Sequence, residues 1–136
     1  MEYLLDTNHL SYLQERHPRV LERVAALFAR DRLLAAAVSA AELLRGVYLL
    51  PEGRRRRRLA EEYHQVVRRI DEIVPITLSV AEAYAGIDVA LRRTGRPIPV
   101  NDVWVAAAAL TRDAVLVTND DHFTRVEGLT LENWTQ

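Results

Sequence analysis

Residues 3–8 read YLLDTN: two leucines run into an aspartate, and polar residues follow at once. A buried strand that ends on a carboxylate admits two readings. In the first, Asp6 or Asn8 caps a helix and accepts a hydrogen bond from one of its free N–H groups. In the second, Asp6 is placed for chemistry, because ligands of open parallel sheets bind outside the carboxyl ends of the strands. The rest of the chain decides which applies.

Outward from Asp6, residues 2–5 predict a short buried strand, and helical patterns fill residues 8–15 and 19–30, with Pro18 placed to start the second. The run LLAAAVS, 33–39, fits strand or helix by periodicity. It is read as a strand because AELLRGVYLL, 41–50, then forms a separate helix. PEG, 51–53, is a break. Residues 54–71 predict a long helix with Leu59, Tyr63, Val66, Val67 and Ile70 on one face. EIVPIT, 72–77, predicts a strand, and LSVAEAYAGIDVALRRTG a helix stopped by Gly95. RPIPV is an extended linker and NDVWVAAAALTRD an alanine-rich helix. Strands follow at AVLVT, 114–118, and LTLEN, 129–133. No repeat or domain boundary interrupts this order, so residues 1–136 are read as one domain. Alternating strands and helices imply an α/β fold, a central parallel sheet with helices on both faces in three layers.

Composition narrows the function. The chain has 136 residues, 49% of them apolar, as expected of a single globular domain. It has no cysteine, which excludes disulfides and thiolate metal sites and is compatible with a reducing cytoplasm. The opening MEYLLDTNHL is too short and too acidic for a secretory signal, and no apolar run is long enough to span a bilayer. The formal net charge of −1 does not announce nucleic acid. All 18 basic residues are arginine. Without lysine there is no Walker P-loop and no Schiff-base chemistry.

Four acids fall at comparable places. Asp6 ends the first strand, Glu42 lies on the first turn after the second, and Asp102 opens the helix feeding the strand at 114–118. Asp120 lies just past that strand, next to Asp121. Each has a local explanation: a cap for Asp6, a capping box from Ser39 to Glu42, a helix-dipole contact for Asp102, a turn for Asp120 and Asp121. Four acids on one rim point further. Carboxylates brought together repel unless a proton or a cation intervenes. Oxygen-only ligands favour Mg²⁺ or Mn²⁺ over zinc, and such an ion with open water sites serves phosphodiester hydrolysis.

In this order and spacing, LLDTN, SAAELLRG, NDVWVAAAAL and LVTNDDHF resemble the four motifs of the PIN-domain nucleases, and most closely the VapC toxin branch of type II toxin–antitoxin pairs. The ending HFTRVEGLTLENW is similar to that branch too. No single motif is specific; the ordered set is. The resemblance implies a PIN-like three-layer sandwich that cleaves RNA with Mg²⁺ or Mn²⁺ held by Asp6, Glu42, Asp102 and Asp120. Asp120 keeps the family spacing to His122 and Phe123, with Asp121 as the rival ligand. Asn8 and Thr118 match supporting polar positions. The resemblance also implies a homodimer and a small DNA-binding, VapB-like antitoxin that covers the active-site groove.

The run of arginines from Arg54 to Arg58 is either a solvated face or a phosphate-binding surface. Arginines at a helix N-terminus oppose its dipole, so helix stability does not explain them. Arg45, one turn after Glu42, can pair with an acid or a phosphate. His9, His17 and His64 are read as surface residues, His122 as packing or hydrogen-bonding at the last motif, and Trp104 and Trp134 as packing residues. Two other classes remain in view. A phosphoacceptor domain of receiver or haloacid-dehalogenase type also has an Asp after its first strand. The receiver type wants a lysine that the chain lacks, and the dehalogenase type an Asp where Asn8 stands. The other class is a PIN-like binding module without activity, against which four intact acids argue.

Overall fold

Alternation along the chain becomes a sheet in the computed structural model, which describes residues 1–136. The strands are β1 (Glu2–Leu5), β2 (Arg32–Ala36), β3 (Glu72–Val74), β4 (Val115–Val117) and β5 (Thr130–Glu132). The helices are α1 (Thr7–Gln14), α2 (Pro18–Ala25), α3 (Ala37–Tyr48), α4 (Arg54–Arg69), α5 (Leu78–Arg93) and α6 (Val100–Arg112). A 3-10 turn, Asp121–Arg125, joins β4 to β5. All neighbouring strands are parallel, in the order β3-β2-β1-β4-β5. Chain order therefore reverses between β1 and β4, where Leu5 is in register with Val117.

Successive strand residues point to opposite faces, and both faces are covered, so the strands are nearly continuous in apolar residues. Leu4, Leu34 and Leu116 pack on one face with Val103, Ala106 and Ala109 of α6 and Leu91 of α5. Leu5, Leu33, Ala35 and Val117 pack on the other with Leu10 and Leu13 of α1, Val20 of α2, and Val66 of α4. The alanines of α6 let that helix lie close to the sheet.

Element boundaries differ from expectation at three places, the first being β3, which ends at Val74 rather than residue 77 because Pro75 has no N–H for the ladder. β2 ends at Ala36 and α3 begins at Ala37, about a turn early, because the sheet needs only the buried residues Leu33–Ala36 and alanine then propagates a helix readily. Ser39 thus lies inside α3, whose N-cap is Ala36 with no side-chain cap bond. The expected Ser39–Glu42 capping box does not form. α2 stops at Ala25 rather than residue 30. There the Phe28 N–H donates to Asp31 Oδ2 at 2.9 Å and turns the chain toward β2.

The amino edge of the sheet is closed by ion pairs. Arg32 donates to Glu2 at 2.8 Å and to Glu72 at 2.9 Å. Arg112, ending α6, reaches Glu72 at 2.6 Å and Glu2 at 3.1 Å. These arginines hold the Glu72 carboxyl down to about 2, Arg112 contributing most.

Candidate active site

At the opposite edge, the Asp6 N–H donates to Val117 O at 3.0 Å, so Asp6 extends the β1–β4 ladder at the switch point. Its side chain caps α1: Oδ1 accepts the His9 N–H at 2.7 Å. The same oxygen lies 3.1 Å from His9 Nδ1. Asp6 is therefore a cap and a rim carboxylate at once.

Glu42 lies on the second turn of α3. Thr7 Oγ1 lies 2.9 Å from Glu42 Oε1 and 3.0 Å from Ser39 Oγ. A carboxylate only accepts, so Thr7 gives its proton to Glu42 and receives that of Ser39. Asp102 occupies the first turn of α6, where the dipole also favours an acid. Asp120 caps the 3-10 turn by accepting the His122 N–H at 2.9 Å. Its own N–H donates to the buried Thr118 Oγ1 at 2.9 Å.

His122 Nδ1 lies 3.1 Å from Asp102 Oδ2 and 3.3 Å from Asp120 Oδ1. One ligand atom from each of Asp102, Asp120 and His122 falls within a 4.8 Å group that could hold a metal ion. Burial pushes the Asp102 carboxyl above its ordinary value, the hydrogen bond from His122 opposes this, and the charges of Asp120 and Glu42 push it further up. Glu42 thus acts electrostatically on Asp102 from across the rim. Asp6, Glu42, Asp102 and Asp120 have no arginine partner. This contrasts with the amino edge and fits a cation at Asp102, Asp120 and His122, where positive charge relieves the repulsion between the two carboxylates; Asp6 and Glu42 lie outside that group.

Other expected positions stand apart. Asn8 is exposed with no side-chain hydrogen bond, since the helical turn after Asp6 swings it outward; Thr7 makes the inward contact. Asp121 is exposed and outside the metal-competent group, its carbonyl accepting from Thr124. Arg45 is exposed beside Tyr48 and Leu49 and pairs with no acid. Arg54, Arg55, Arg57 and Arg58 are exposed at the start of α4, while Arg56 lies 5.3 Å over the Tyr48 ring.

His9 is not a surface residue: it is fully buried between Asp6 and the C-terminal segment. His17 is half-buried and caps α2, and His64 is exposed. Trp134 is fully buried, and Trp104 stacks on Tyr84 at 4.0 Å. Thr7, Ser39 and His9 are the contributors that the sequence reading missed. Only His9 carried a local signal, the i,i+3 spacing from a cap residue that capping boxes share.

Comparison with known proteins gives the family of the chain. The family model described as "PIN domain" matches residues 3–129. Ribonuclease VapC1 of Haemophilus influenzae is 33% identical over an alignment 144 positions long that covers all of both chains. The structure of VapBC-1 from nontypeable Haemophilus influenzae superposes with a TM-score of 0.88 at 31% identity over all of both chains. VapBC2 from Rickettsia felis, bound to a promoter DNA fragment, gives 0.89 at 27% identity over 98% of this chain and 99% of that one. The chain belongs to the PIN-domain family. Within it, full-length likeness places the protein in the VapC branch: it is a ribonuclease of the VapC toxin type.

Proposed function

We propose that this protein is a divalent-cation-dependent endoribonuclease in which Asp6, Glu42, Asp102 and Asp120 are the catalytic and metal-holding carboxylates. Mg²⁺ is its cation and Mn²⁺ the substitute. The observation that carries the reading is the contrast between the sheet edges. Glu2 and Glu72 each have two arginine partners at one edge, and the four rim acids have none at the other. A divalent cation held there supplies positive charge to the scissile phosphodiester and acidifies a neighbouring water.

The chain's own residues do the positioning. Thr7 fixes one oxygen of Glu42, Thr118 fixes the backbone of Asp120, and the α1 cap fixes Oδ1 of Asp6. A rim carboxylate accepts the proton of the attacking water. Arg45 and Arg54–Arg58 supply phosphate contacts on the solvent side, and an RNA substrate places the protein in the cytoplasm. No helix is long and apolar enough to cross a membrane.

The VapBC2 complex with promoter DNA supports a small DNA-binding, VapB-like antitoxin as partner. Exposed Ile76, Leu78, Val89 and Val100 provide apolar surface for a second copy, a homodimer. The test is RNA cleavage by wild type, Asp6→Asn, Asp102→Asn and Asp120→Asn in Mg²⁺, Mn²⁺ or EDTA. Wild type cleaves only with cation, and each variant falls by about a hundredfold. Variants with wild-type circular dichroism and wild-type rates overturn the assignment.

A further inference from the structure

His9 carries no charge partner other than Asp6, is shut off from solvent, and is used by nothing in the reaction described above. Its two ring nitrogens are both engaged. The Trp134 backbone N–H donates to Nε2 at 3.3 Å. A backbone amide can only donate, so Nε2 must be the bare acceptor nitrogen and the ring proton sits on Nδ1. That proton points at Asp6 Oδ1, 3.1 Å away.

The ring is held in place from its sides as well. Tyr12 packs edge-on at 5.3 Å and is anchored in turn by the Asn119 amide, which donates to the Tyr12 hydroxyl at 3.1 Å. Trp134 is tied to Glu132 through its indole N–H at 3.0 Å, and the Glu132 carbonyl accepts the Thr118 N–H at 2.8 Å. The segment that sets the His9 tautomer is thus fastened to β4, the strand leading to Asp120.

Asp6 Oδ1 consequently receives two donors, the His9 N–H and the His9 ring. Oδ2 receives none. A carboxylate with one oxygen saturated is fixed in rotation and presents the other.

We propose that His9 is a positioning residue: locked as its Nδ1–H tautomer by the Trp134 amide, it pins Asp6 Oδ1 and so presents Oδ2 to the divalent cation. This rests on the metal-holding role of Asp6 proposed above. Outer partners of metal ligands set affinity by orienting them, typically by ten- to a hundredfold. His9 also makes the C-terminal segment part of the site, since the residue that sets its tautomer is 125 positions away in sequence.

The test is Mn²⁺ affinity measured by calorimetry on the full chain, without substrate. His9→Asn puts an amide N–H where Nδ1–H stands. His9→Gln reaches the Nε2 position instead, and His9→Leu fills the space with no polar group. Leu and Gln variants are expected to bind Mn²⁺ about tenfold more weakly, and the Asn variant to recover most of that loss. Equal affinity in all three and wild type overturns the proposal, as does an equal loss in all three, which would mean that ring packing and not the donor matters. If the Leu variant does not fold, the contrast between Asn and Gln decides alone. Asp6→Asn is the control. If it weakens Mn²⁺ binding and the His9 variants do not, only the role of His9 fails; if it binds like wild type, the metal-holding role of Asp6 fails as well.

Discussion

Glu72 and Asp102 are carboxylates at opposite edges of one sheet, and their proton affinities are moved in opposite directions. Glu72 is held down to about 2, chiefly by Arg112 and then by Arg32. A lowered folded value stabilises above the unfolded one, about 4.5, and the contribution is lost as pH falls through about 2. Glu72→Gln is therefore expected to be less stable than wild type at neutral pH, with the gap closing on acidification across that window. Asp102 is raised, mainly by burial. Its contribution is complete below its ordinary value of 3.8 and disappears as pH rises through the raised value. Without cation, Asp102→Asn should consequently be more stable than wild type at neutral pH, and the advantage should vanish in acid. Urea midpoints of the wild type and both variants from pH 2 to pH 7 check both signs. Asp6→Asn differs again: Oδ1 caps α1 and accepts a hydrogen bond from the His9 ring N–H, so replacing the carboxylate with an amide costs about 1 kcal/mol. The cap reading of YLLDTN holds, and because a carboxylate has two oxygens it leaves Oδ2 of Asp6 available for the proposed chemistry. The partners of these side chains were illegible for a plain reason. Thr7 meets Glu42 across 35 positions and His9 meets Trp134 across 125, whereas cap and turn rules reach only three or four.

At the scale of elements, α4 begins against its own electrostatics. Gly53 is its N-cap with no side-chain bond, its first turn holds no acid, and five arginines face the positive end of the dipole. Arg54→Glu and Arg55→Glu should each stabilise the protein by about 0.5 kcal/mol through the dipole. If the run binds RNA, the same pair should weaken binding and reduce the salt slope by about 0.7 for each lost single-strand contact. Opposite effects on stability and binding in one double variant identify a surface kept for its ligand. Greater stability with an unchanged salt slope returns the run to the solvated-face reading. The start of α3 shows the limit of periodicity. LLAAAVS satisfies strand and helix equally, and the division at Ala36 is made by how much chain the sheet can bury. The capping box read from Ser39 and Glu42 failed with that boundary: a serine one turn inside a helix is no cap, and Ser39 instead supports Thr7.

For the whole molecule, the fold was legible because its logic is coarse: apolar runs alternating with helical periods allow few parallel arrangements. What the alternation could not give is the order β3-β2-β1-β4-β5, which sets the switch point between β1 and β4 and brings Asp6 beside the strand leading to Asp120. That order also divides the charges, pairing acids with arginines at one edge and leaving Asp102 and Asp120 together without an arginine at the other. The division makes a prediction about stability as a whole. A cation that binds only the folded chain adds about 2.7 kcal/mol at a hundredfold excess over its Kd, a rise in Tm on the order of 8 °C for a domain of this size. Asp120→Asn removes a charge from the metal-competent group and should cut that rise sharply. Arg32→Ala breaks the amino-edge network, so it should lower Tm with and without cation yet leave the rise intact. Thermal unfolding of the three proteins in EDTA and in Mn²⁺ separates the two edges. A wild-type Tm indifferent to Mn²⁺, or a rise lost equally in both variants, means that the acids without arginine partners are not where the cation binds.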